Sequence, residues 1–469
     1  MKYKVLAITL GFGLSVSEAS SLKDALENSN IKGFAFGRYS VMGGKDAQGQ
    51  RYQFRTKIDL TSGEIDGYSL TGGIFFSQGS GTPDEGNYTN DDIQGSRGVR
   101  TDMSGSDVFN ISNLYINKNF SNTKTSVQIG QMNIISPFTD KSVDRGIGAF
   151  AQNSDINGLK FSLSGYDTWI TDDIYIVAQA SKLTGDSNKK GAGIGNNLVI
   201  AGVDGDYDLD ENAMHHLNFK LYDLWAHHLI DYMIFAELGY RYNFGEHTYV
   251  KVMGQIAASG VNKIAEFKSK SIYLNTYFSN KVDAESLPFG HMQDIANNRG
   301  LYNLQASVEI HKFYAEVGFA GSFGDGYGAL LDNVGGFNTA GKLWNGSQGH
   351  GADGFGFLGS GATKNTSINA LYAQLDYKIG SFILTLDGAW ISGENNHPLL
   401  LAGSHTEGRD YRGKVAGYPD KRTMDASFVE ITPSISYKVG KKLTVQIYYA
   451  SIFGDISLNR TRLQITYNF

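Results

Sequence analysis

Apolar and polar side chains alternate along much of the chain. In residues 51–62, Tyr52 and Phe54 share one face with other apolar side chains, and charged side chains occupy the other face. Residues 456–469 alternate in the same way up to the terminal Phe469. Because successive side chains of a strand point to opposite faces, this pattern predicts β-strands with one apolar and one polar face.

The strands are expected to cross a membrane. The alternating segments are longer than the roughly 5–6 residues of an average soluble strand, and a tilted strand crosses a bilayer with about 9–11 residues. No apolar run is long enough for a transmembrane helix, which needs about 18 residues or more. Aromatic residues lie near the predicted strand ends, as in the interfacial girdles of outer-membrane barrels: Tyr52, Tyr68, Tyr242, Tyr437 and Tyr467.

The fold class that follows is all-β, a transmembrane antiparallel barrel. Single-chain bacterial barrels have an even number of strands, short periplasmic turns and longer external loops. Of nineteen candidate segments, residues 270–280 conflict with this rule, so we assign them to an external loop. The eighteen predicted strands are 31–42, 51–62, 67–78, 107–119, 123–131, 158–168, 172–182, 196–206, 214–225, 229–244, 246–258, 299–310, 312–323, 366–379, 381–393, 426–439, 441–453 and 456–469.

The predicted loops differ in character. The third external loop, residues 132–157, is expected to fold into the barrel because of its length and position. The glycine-rich residues 335–361 are expected to belong to an external loop.

Both ends of the chain indicate export to the bacterial outer membrane. Lys2 and Lys4 precede a short apolar run, and Ser17-Glu18-Ala19 fits a cleavage site, so residues 1–19 are predicted to be a cleaved signal peptide. Residues 20–469 then form a single barrel domain. The terminal Phe469, with alternating apolar residues before it, is typical of the segment that barrels present to the barrel assembly machinery.

Composition excludes several functions. The net charge of −6 does not favour nucleic acid as a partner. The chain has no cysteine, which removes thiol catalysis and cysteine metal sites. No Ser, His and acid constellation can be assembled from the sequence, so we expect no enzyme and no required cofactor. Too few residues precede residues 31–42 to form the plug of an energised receptor.

Several segments resemble the major outer membrane porin family of Campylobacter and related bacteria. They are Leu22-Lys23-Asp24-Ala25-Leu26, Ile31-Lys32-Gly33, Arg38-Tyr39, Gly130-Gln131, Phe138-Thr139-Asp140-Lys141-Ser142-Val143-Asp144, Ile156-Asn157-Gly158-Leu159, Tyr207-Asp208-Leu209, Arg462-Leu463-Gln464, Tyr467 and Phe469. The resemblance spans most of the chain and is weak in the external loops.

The resemblance implies an eighteen-stranded barrel, commonly a homotrimer, that passes small hydrophilic and preferentially cationic solutes. It also implies an acidic calcium site inside the pore. Asp144 lies in the matching third-loop motif and is the candidate calcium ligand. Asp172 and Asp173 lie near a second acid of that family, but their spacing differs.

The alternation of inward and outward side chains along each strand predicts which charged side chains line the lumen. Six basic side chains, here called the basic wall, are expected to converge because the last strand neighbours the first: Arg38, Arg51, Arg55, Lys57, Arg460 and Arg462. The inward loop offers Asp140, Asp144 and Asp155. Together they would create a transverse field that orients dipolar solutes. The simpler interpretation is that these charges only keep the pore wet.

The expected function is an outer-membrane porin, a water-filled channel for passive diffusion of ions and small hydrophilic solutes with a weak preference for cations. The expected partners are outer-membrane lipid and lipopolysaccharide. The alternatives are a substrate-selective channel, for amino acids or small carboxylates, and an outer-membrane hydrolase.

Overall fold

The structure is a computed structural model. It describes residues 24–44, 49–82, 108–142, 144–171, 175–176, 197–227, 229–261, 296–331, 336–345, 355–356, 361, 364–394, 396–397, 423–424, 426–455 and 457–469. The predicted signal peptide and the segment 270–280 lie outside these residues. Among the described residues, no helix is both long enough and apolar enough to span a bilayer.

Long antiparallel strands form the wall of the molecule. Three strands of the described chain have only two residues and are not counted as wall strands. They are β8 Tyr175–Ile176, which pairs with the end of β7, and β17 Asn396–His397 and β18 Thr423–Met424, which pair with each other. The eighteen wall strands are β1 Asn30–Gly44, β2 Gly49–Thr61, β3 Tyr68–Thr82, β4 Val108–Phe120, β5 Thr125–Asn133, β6 Arg145–Asn153, β7 Leu159–Ile170, β9 Leu198–Asp208, β10 His215–Ala226, β11 Ile230–Gly245, β12 Thr248–Val261, β13 Asn298–Ile310, β14 Phe313–Gly324, β15 Asn369–Ile379, β16 Phe382–Ser392, β19 Phe428–Val439, β20 Leu443–Gly454 and β21 Leu458–Asn468.

The wall closes into a barrel. Strand β1 pairs with β2 on one side and with β21 on the other, in a register that runs from Phe34 opposite Asn468 to Gly44 opposite Leu458. Closure leaves the wall without an open edge, as a structure in lipid requires. The shortest wall strands have 9 residues, which is long enough to cross the bilayer.

The two faces of the wall differ as the alternation predicts. On β2, Tyr52, Phe54 and Leu60 are exposed on the outside, whereas Arg55 and Lys57 are buried on the inside. Apolar side chains elsewhere on the outer face are also exposed, which is costly in water and favourable in lipid. The barrel therefore presents an apolar belt to the membrane and a polar lumen.

Connections at the two ends of the barrel differ in length. At the end that holds the first and last strand termini they are short, as at 246–247 and 311–312. At the other end they include 83–107, 262–297 and 325–368. By the rule that periplasmic turns are short and external loops long, the termini lie at the periplasmic end.

The strand count of eighteen is confirmed, but one member of the predicted set is wrong. Residues 145–153, which we predicted to be part of a loop, form β6. The predicted strand 172–182 is not part of the wall, because β7 pairs directly with β9. Of that segment, the structure describes only Tyr175–Ile176, which pairs with the end of β7.

Small residues conceal β6 in the sequence. Its segment RGIGAFAQN has little hydrophobic alternation, and glycine disfavours strands. The glycines are needed for close approach. A Cβ on Gly146 would lie 2.4 Å from the Tyr166 ring, and one on Gly148 would lie 1.9 Å from the Gly165 carbonyl oxygen.

Candidate functional site: the lumen and its constriction

The connection between β5 and β6, residues 134–144, folds into the lumen and is here called the first inward loop. Ile134 and Phe138 are completely buried. The Thr139 hydroxyl donates a hydrogen bond to the Ile134 carbonyl (2.8 Å), and the Asp140 amide donates one to the Asp144 carboxylate (2.8 Å). These local bonds give the loop a compact shape of its own.

The first inward loop contacts distant parts of the wall. Lys57 Nζ on β2 donates hydrogen bonds to Asn133 Oδ1 (2.9 Å) and to the Ser142 carbonyl (3.0 Å). The Phe138 ring packs edge-on against Phe235 of β11, with centroids 6.4 Å apart. The loop therefore spans the lumen from β2 to β11, and the predicted inward folding is correct for residues 134–144.

A second inward loop narrows the lumen further. It belongs to the β14–β15 connection, and the structure describes its residues 325–331 and 336–345. Leu330, Leu331 and Trp344 in it are buried within the main apolar cluster. This connection joins β14 and β15 at the external end, as predicted, but the inward folding of its described residues was not predicted. The large apolar side chains are the signal that could have revealed it.

Side chains of the wall hold the second inward loop by hydrogen bonds to its backbone. Gln255 Nε2 donates to the Gly336 carbonyl (2.7 Å), and Asn303 Nδ2 donates to the Asn338 carbonyl (2.9 Å). The Tyr372 hydroxyl donates to Asn303 Oδ1 (2.7 Å) and to the Asn338 carbonyl (3.1 Å). Each of these buried amides has partners, which fixes the loop against β12, β13 and β15.

The two inward loops meet inside the barrel. The Gly336 amide donates a hydrogen bond to the Pro137 carbonyl (2.5 Å). A Cβ on Gly336 would lie 2.8 Å from Pro137 Cβ and 2.9 Å from the Phe235 ring, so only glycine fits at this contact. The Phe337 ring packs against Phe235 with centroids 5.8 Å apart. The loops thus fill part of the lumen with one continuous apolar cluster.

The predicted basic wall has the following positions. Arg55 and Lys57 on β2 and Arg460 and Arg462 on β21 are buried on the inner face. Arg462 Nε donates a hydrogen bond to Ser40 Oγ (3.0 Å) on β1, and Arg38 lies two residues before Ser40 on the same face. The backbone of Arg51 pairs with that of Ser40. The role of these residues in selectivity stays a prediction.

Aromatic rings lie against several of these guanidinium groups. Arg38 and Arg55 stack over Phe36 at 5.0 and 5.5 Å from the ring centroid. Arg55 and Arg145 contact Phe75 at 5.6 and 5.5 Å. Such cation–π contacts fix a guanidinium without neutralising it. Arg145 was missed because its segment was read as a loop.

The acids of the first inward loop stabilise its fold. Asp140 Oδ1 accepts hydrogen bonds from the Ser142 amide (2.9 Å) and hydroxyl (2.5 Å). Asp144 is completely buried, and its Oδ2 accepts a hydrogen bond from the Asp140 amide.

The first inward loop also carries a lysine. Enclosure within the lumen lowers the pKa of Lys141, and the nearby ammonium group of Lys220 lowers it further.

Asp155 does not belong to the constriction, so this prediction is wrong. Because residues 145–153 form β6, Asp155 lies in the turn 154–158 at the periplasmic end. Its carboxylate accepts hydrogen bonds from the Lys124 amide (2.6 Å) and from Asn153 Nδ2 (2.6 Å). The Lys124 hydrogen bond is the main reason that the pKa of Asp155 is lowered.

Carboxylates also lie on the wall opposite the basic wall, and the sequence analysis missed them. Strand β11 is nine strands around from β1 and so faces it across the lumen. Its Glu237 forms an ion pair with Lys220 (2.6 Å), and Asp204 on β9 forms one with Lys160 (3.0 Å). Finding them needed the register and closure of the barrel, which local patterns do not provide.

The described residues around Asp144 do not by themselves form a calcium site, and calcium binding stays a prediction. Calcium takes about 6–8 oxygen ligands, usually with several carboxylates. Within the described part of the chain, no group of three or more His, Asp or Glu side chains could hold a metal ion. One Asp144 oxygen already accepts the Asp140 amide. Asp172 and Asp173 lie outside the described residues.

A known family accounts for nearly the whole chain. The family described as Campylobacter major outer membrane protein matches residues 3–466. The chain belongs to this family. The resemblance noted in the sequence is therefore confirmed. Membership places the protein in the outer membrane, and the polar lumen of the barrel is that of a porin channel. No curated protein sequence matches the chain.

Solved porins share the barrel. The fold is similar to OccK9 (OpdG) of Pseudomonas aeruginosa, with a TM-score of 0.60, 10% sequence identity, and coverage of 95% of this chain and 99% of that chain. It is also similar to OpdK of Pseudomonas aeruginosa with vanillate, with a TM-score of 0.58, 11% identity, and coverage of 95% and 99%. At these identities the likeness concerns the fold alone. Family and neighbours indicate a channel rather than an enzyme.

Proposed function

We propose that this porin lets small hydrophilic solutes diffuse between the basic wall and the two inward loops, across a transverse electric field. The observation that carries the proposal is the uneven distribution of charge. Arginines lie on β1, β2 and β21. On the opposite side, Asp204 and Glu237 pair with Lys160 and Lys220 and offset their positive charge. A field of this kind orients dipolar solutes and the water in the pore. It disfavours apolar solutes, because they displace this ordered water when they enter and form no favourable interaction with the field.

The ion preference that we propose is weakly cationic. The chain carries a net charge of −6. Asp206 and Asp208 on β9 keep side-chain exposures of 76% and 56% at the periplasmic end. Exposed carboxylates at a pore mouth raise the local concentration of cations, within a screening length of about 10 Å at 0.1 M salt.

Reversal potentials in a KCl gradient test the field. The double variant Arg38→Gln and Arg462→Gln removes positive charge from one side, and Asp204→Asn removes negative charge from the other. We expect the first to increase the preference for cations and the second to decrease it. The charge-preserving pair Arg38→Lys and Arg462→Lys is the matched control. Equal reversal potentials in all variants would contradict the proposal.

A second candidate function is a channel that prefers small carboxylates. It is favoured by the guanidinium groups of Arg38 and Arg55, which are held planar against Phe36 and can bind a carboxylate through two hydrogen bonds. The fold of OpdK, solved with vanillate, is compatible with such a substrate.

Transient current block separates the two candidates. If the channel is selective, an aromatic carboxylate blocks the current more than the matching neutral alcohol does. Arg55→Lys should then reduce this difference in block, because lysine lacks the planar guanidinium group that binds a carboxylate through two hydrogen bonds. Equal block by both compounds would leave the general porin as the function.

For assembly, we propose a homotrimer in contact with outer-membrane lipid and lipopolysaccharide, inserted by the barrel assembly machinery through Phe469. The exposed apolar outer face, which includes Ile465 and Tyr467, supports contacts of this kind. Chemical cross-linking in native membranes tests the trimer, and deletion of Phe469 should reduce insertion. N-terminal sequencing of the mature protein tests cleavage after Ala19.

A further inference from the structure

A buried carboxylate lies where the second inward loop reaches the wall strand β19. Glu430 is 0% exposed. Its two oxygens accept hydrogen bonds from three consecutive backbone amides: Lys342 at 2.6 Å, Leu343 at 3.2 and 3.0 Å, and Trp344 at 2.9 Å. The Thr432 hydroxyl adds a fourth donor at 2.8 Å.

We propose that Glu430 is a positioning residue that holds the second inward loop across the lumen and thereby sets the size limit for solutes. This inference rests on the channel function proposed above. A buried carboxylate is stable only when its oxygens are fully hydrogen-bonded, and three converging amides provide such a site. The same carboxylate satisfies three amides that would otherwise be buried without partners in the loop.

The segment held by Glu430 is compact. Trp344 Nε1 donates a hydrogen bond to the Ala340 carbonyl (2.8 Å), and the Trp344 ring packs edge-on against Phe355 at 5.7 Å. Gly341 has a φ of 112°, and a Cβ there would lie 2.4 Å from Trp344 Nε1. Residues 340–345 therefore move as one unit when their attachment to the wall is lost.

The rest of the loop is held separately. Asn338 is bound by Asn303 and Tyr372, and Gly336 by Gln255 and Pro137. Residues 340–345 have a further attachment in the ion pair between Lys342 Nζ and Asp387 Oδ2 on β16 (3.3 Å). Loss of the Glu430 contacts consequently loosens residues 340–345 on the side of β19 while residues 336–338 stay attached. The lumen then widens on the side of β19, next to β20 and β21.

The variant Glu430→Gln tests the proposal. Glutamine has the same shape but only one acceptor oxygen, so its amide nitrogen would face a backbone N–H. Loss of one charge-assisted hydrogen bond raises the population of barrels in which residues 340–345 are detached from Glu430 by roughly tenfold or more. We expect higher single-channel conductance in planar bilayers, with new upper levels, and faster liposome swelling with sugars that the unmodified porin excludes.

Asp376→Asn is the matched control. It removes the same charge from the inner face, but the Asp376 carboxylate accepts its hydrogen bonds from Gln374 on its own strand. We expect its size limit to equal that of the unmodified porin. A size limit that changes equally in both variants would show a charge effect and would overturn the role of Glu430.

A second variant keeps the test independent of barrel folding. Lys342→Pro removes the amide that lies 2.6 Å from Glu430 and leaves every wall-strand residue in place. Lys342→Met is its control, because both variants lose the ion pair to Asp387 and only methionine keeps the amide. Heat-modifiable mobility on gels identifies folded barrels. A higher conductance for Lys342→Pro than for Lys342→Met supports the proposal, whereas identical conductance in folded protein overturns it. If the unmodified porin shows no conductance, it is the channel function that fails.

Discussion

Replacing Phe138 with alanine should detach the first inward loop. The Phe138 ring is 0% exposed and contacts Phe235 across the lumen. Truncating a buried phenylalanine costs about 3–5 kcal/mol. Because the ring is on a loop, this loss falls on the attachment of the loop rather than on strand pairing. A change of about 3 kcal/mol raises the population of the detached loop by roughly a hundredfold.

Single-channel recording and limited proteolysis measure this effect. We expect Phe138→Ala to give a noisier current with a wider range of conductance sublevels. We also expect the protease to cleave the chain within residues 134–144. Phe161→Ala is the control, because Phe161 is 41% exposed on the outer face. Quiet current and full protease resistance in Phe138→Ala would refute the view that this ring anchors the loop.

Two further predictions concern the same region. Gly146→Val should lower the yield of folded barrel, measured by heat-modifiable mobility, because a Cβ there would lie 2.4 Å from the Tyr166 ring; a normal yield would show that β6 and β7 can separate at little cost. Lys57→Met should increase current noise, because it removes the two hydrogen bonds to Asn133 and Ser142. Lys57→Arg should increase the noise less, because arginine can still donate hydrogen bonds. If the noise of Lys57→Met equals that of the unmodified porin, Lys57 does not bridge the wall and the loop.

The wall was largely predictable because its periodicity is local. The predicted strand 229–244 corresponds to β11 Ile230–Gly245, which combines strict alternation with high aromatic content. The same alternation shows which side chains of β2 and β21 point inward. The positions of Arg55 and Arg462 could therefore be predicted, given that the first and last strands are neighbours. Strand β6 could not be predicted, because the glycines that allow close packing against Tyr166 remove the alternating pattern.

The constriction depends on contacts that are distant in sequence. Gly336 contacts Pro137, and Glu430 contacts residues 342–344. Glycine-rich sequence is equally compatible with a mobile loop and with a tightly packed one, since both need small residues. Burial of the apolar side chains decides between them, and burial depends on the whole barrel.

The most direct test of the central claim, that two inward loops meet inside the lumen, is the variant Gly336→Ala. The added Cβ would lie 2.8 Å from Pro137 Cβ and 2.9 Å from the Phe235 ring, so the two loops cannot keep their contact. Gly37→Ala on β1 is the control, because a Cβ there would meet no atom within 4 Å. We expect Gly336→Ala to change the single-channel conductance of folded barrels and Gly37→Ala to leave it unchanged. A conductance of Gly336→Ala equal to that of the unmodified porin would contradict the account.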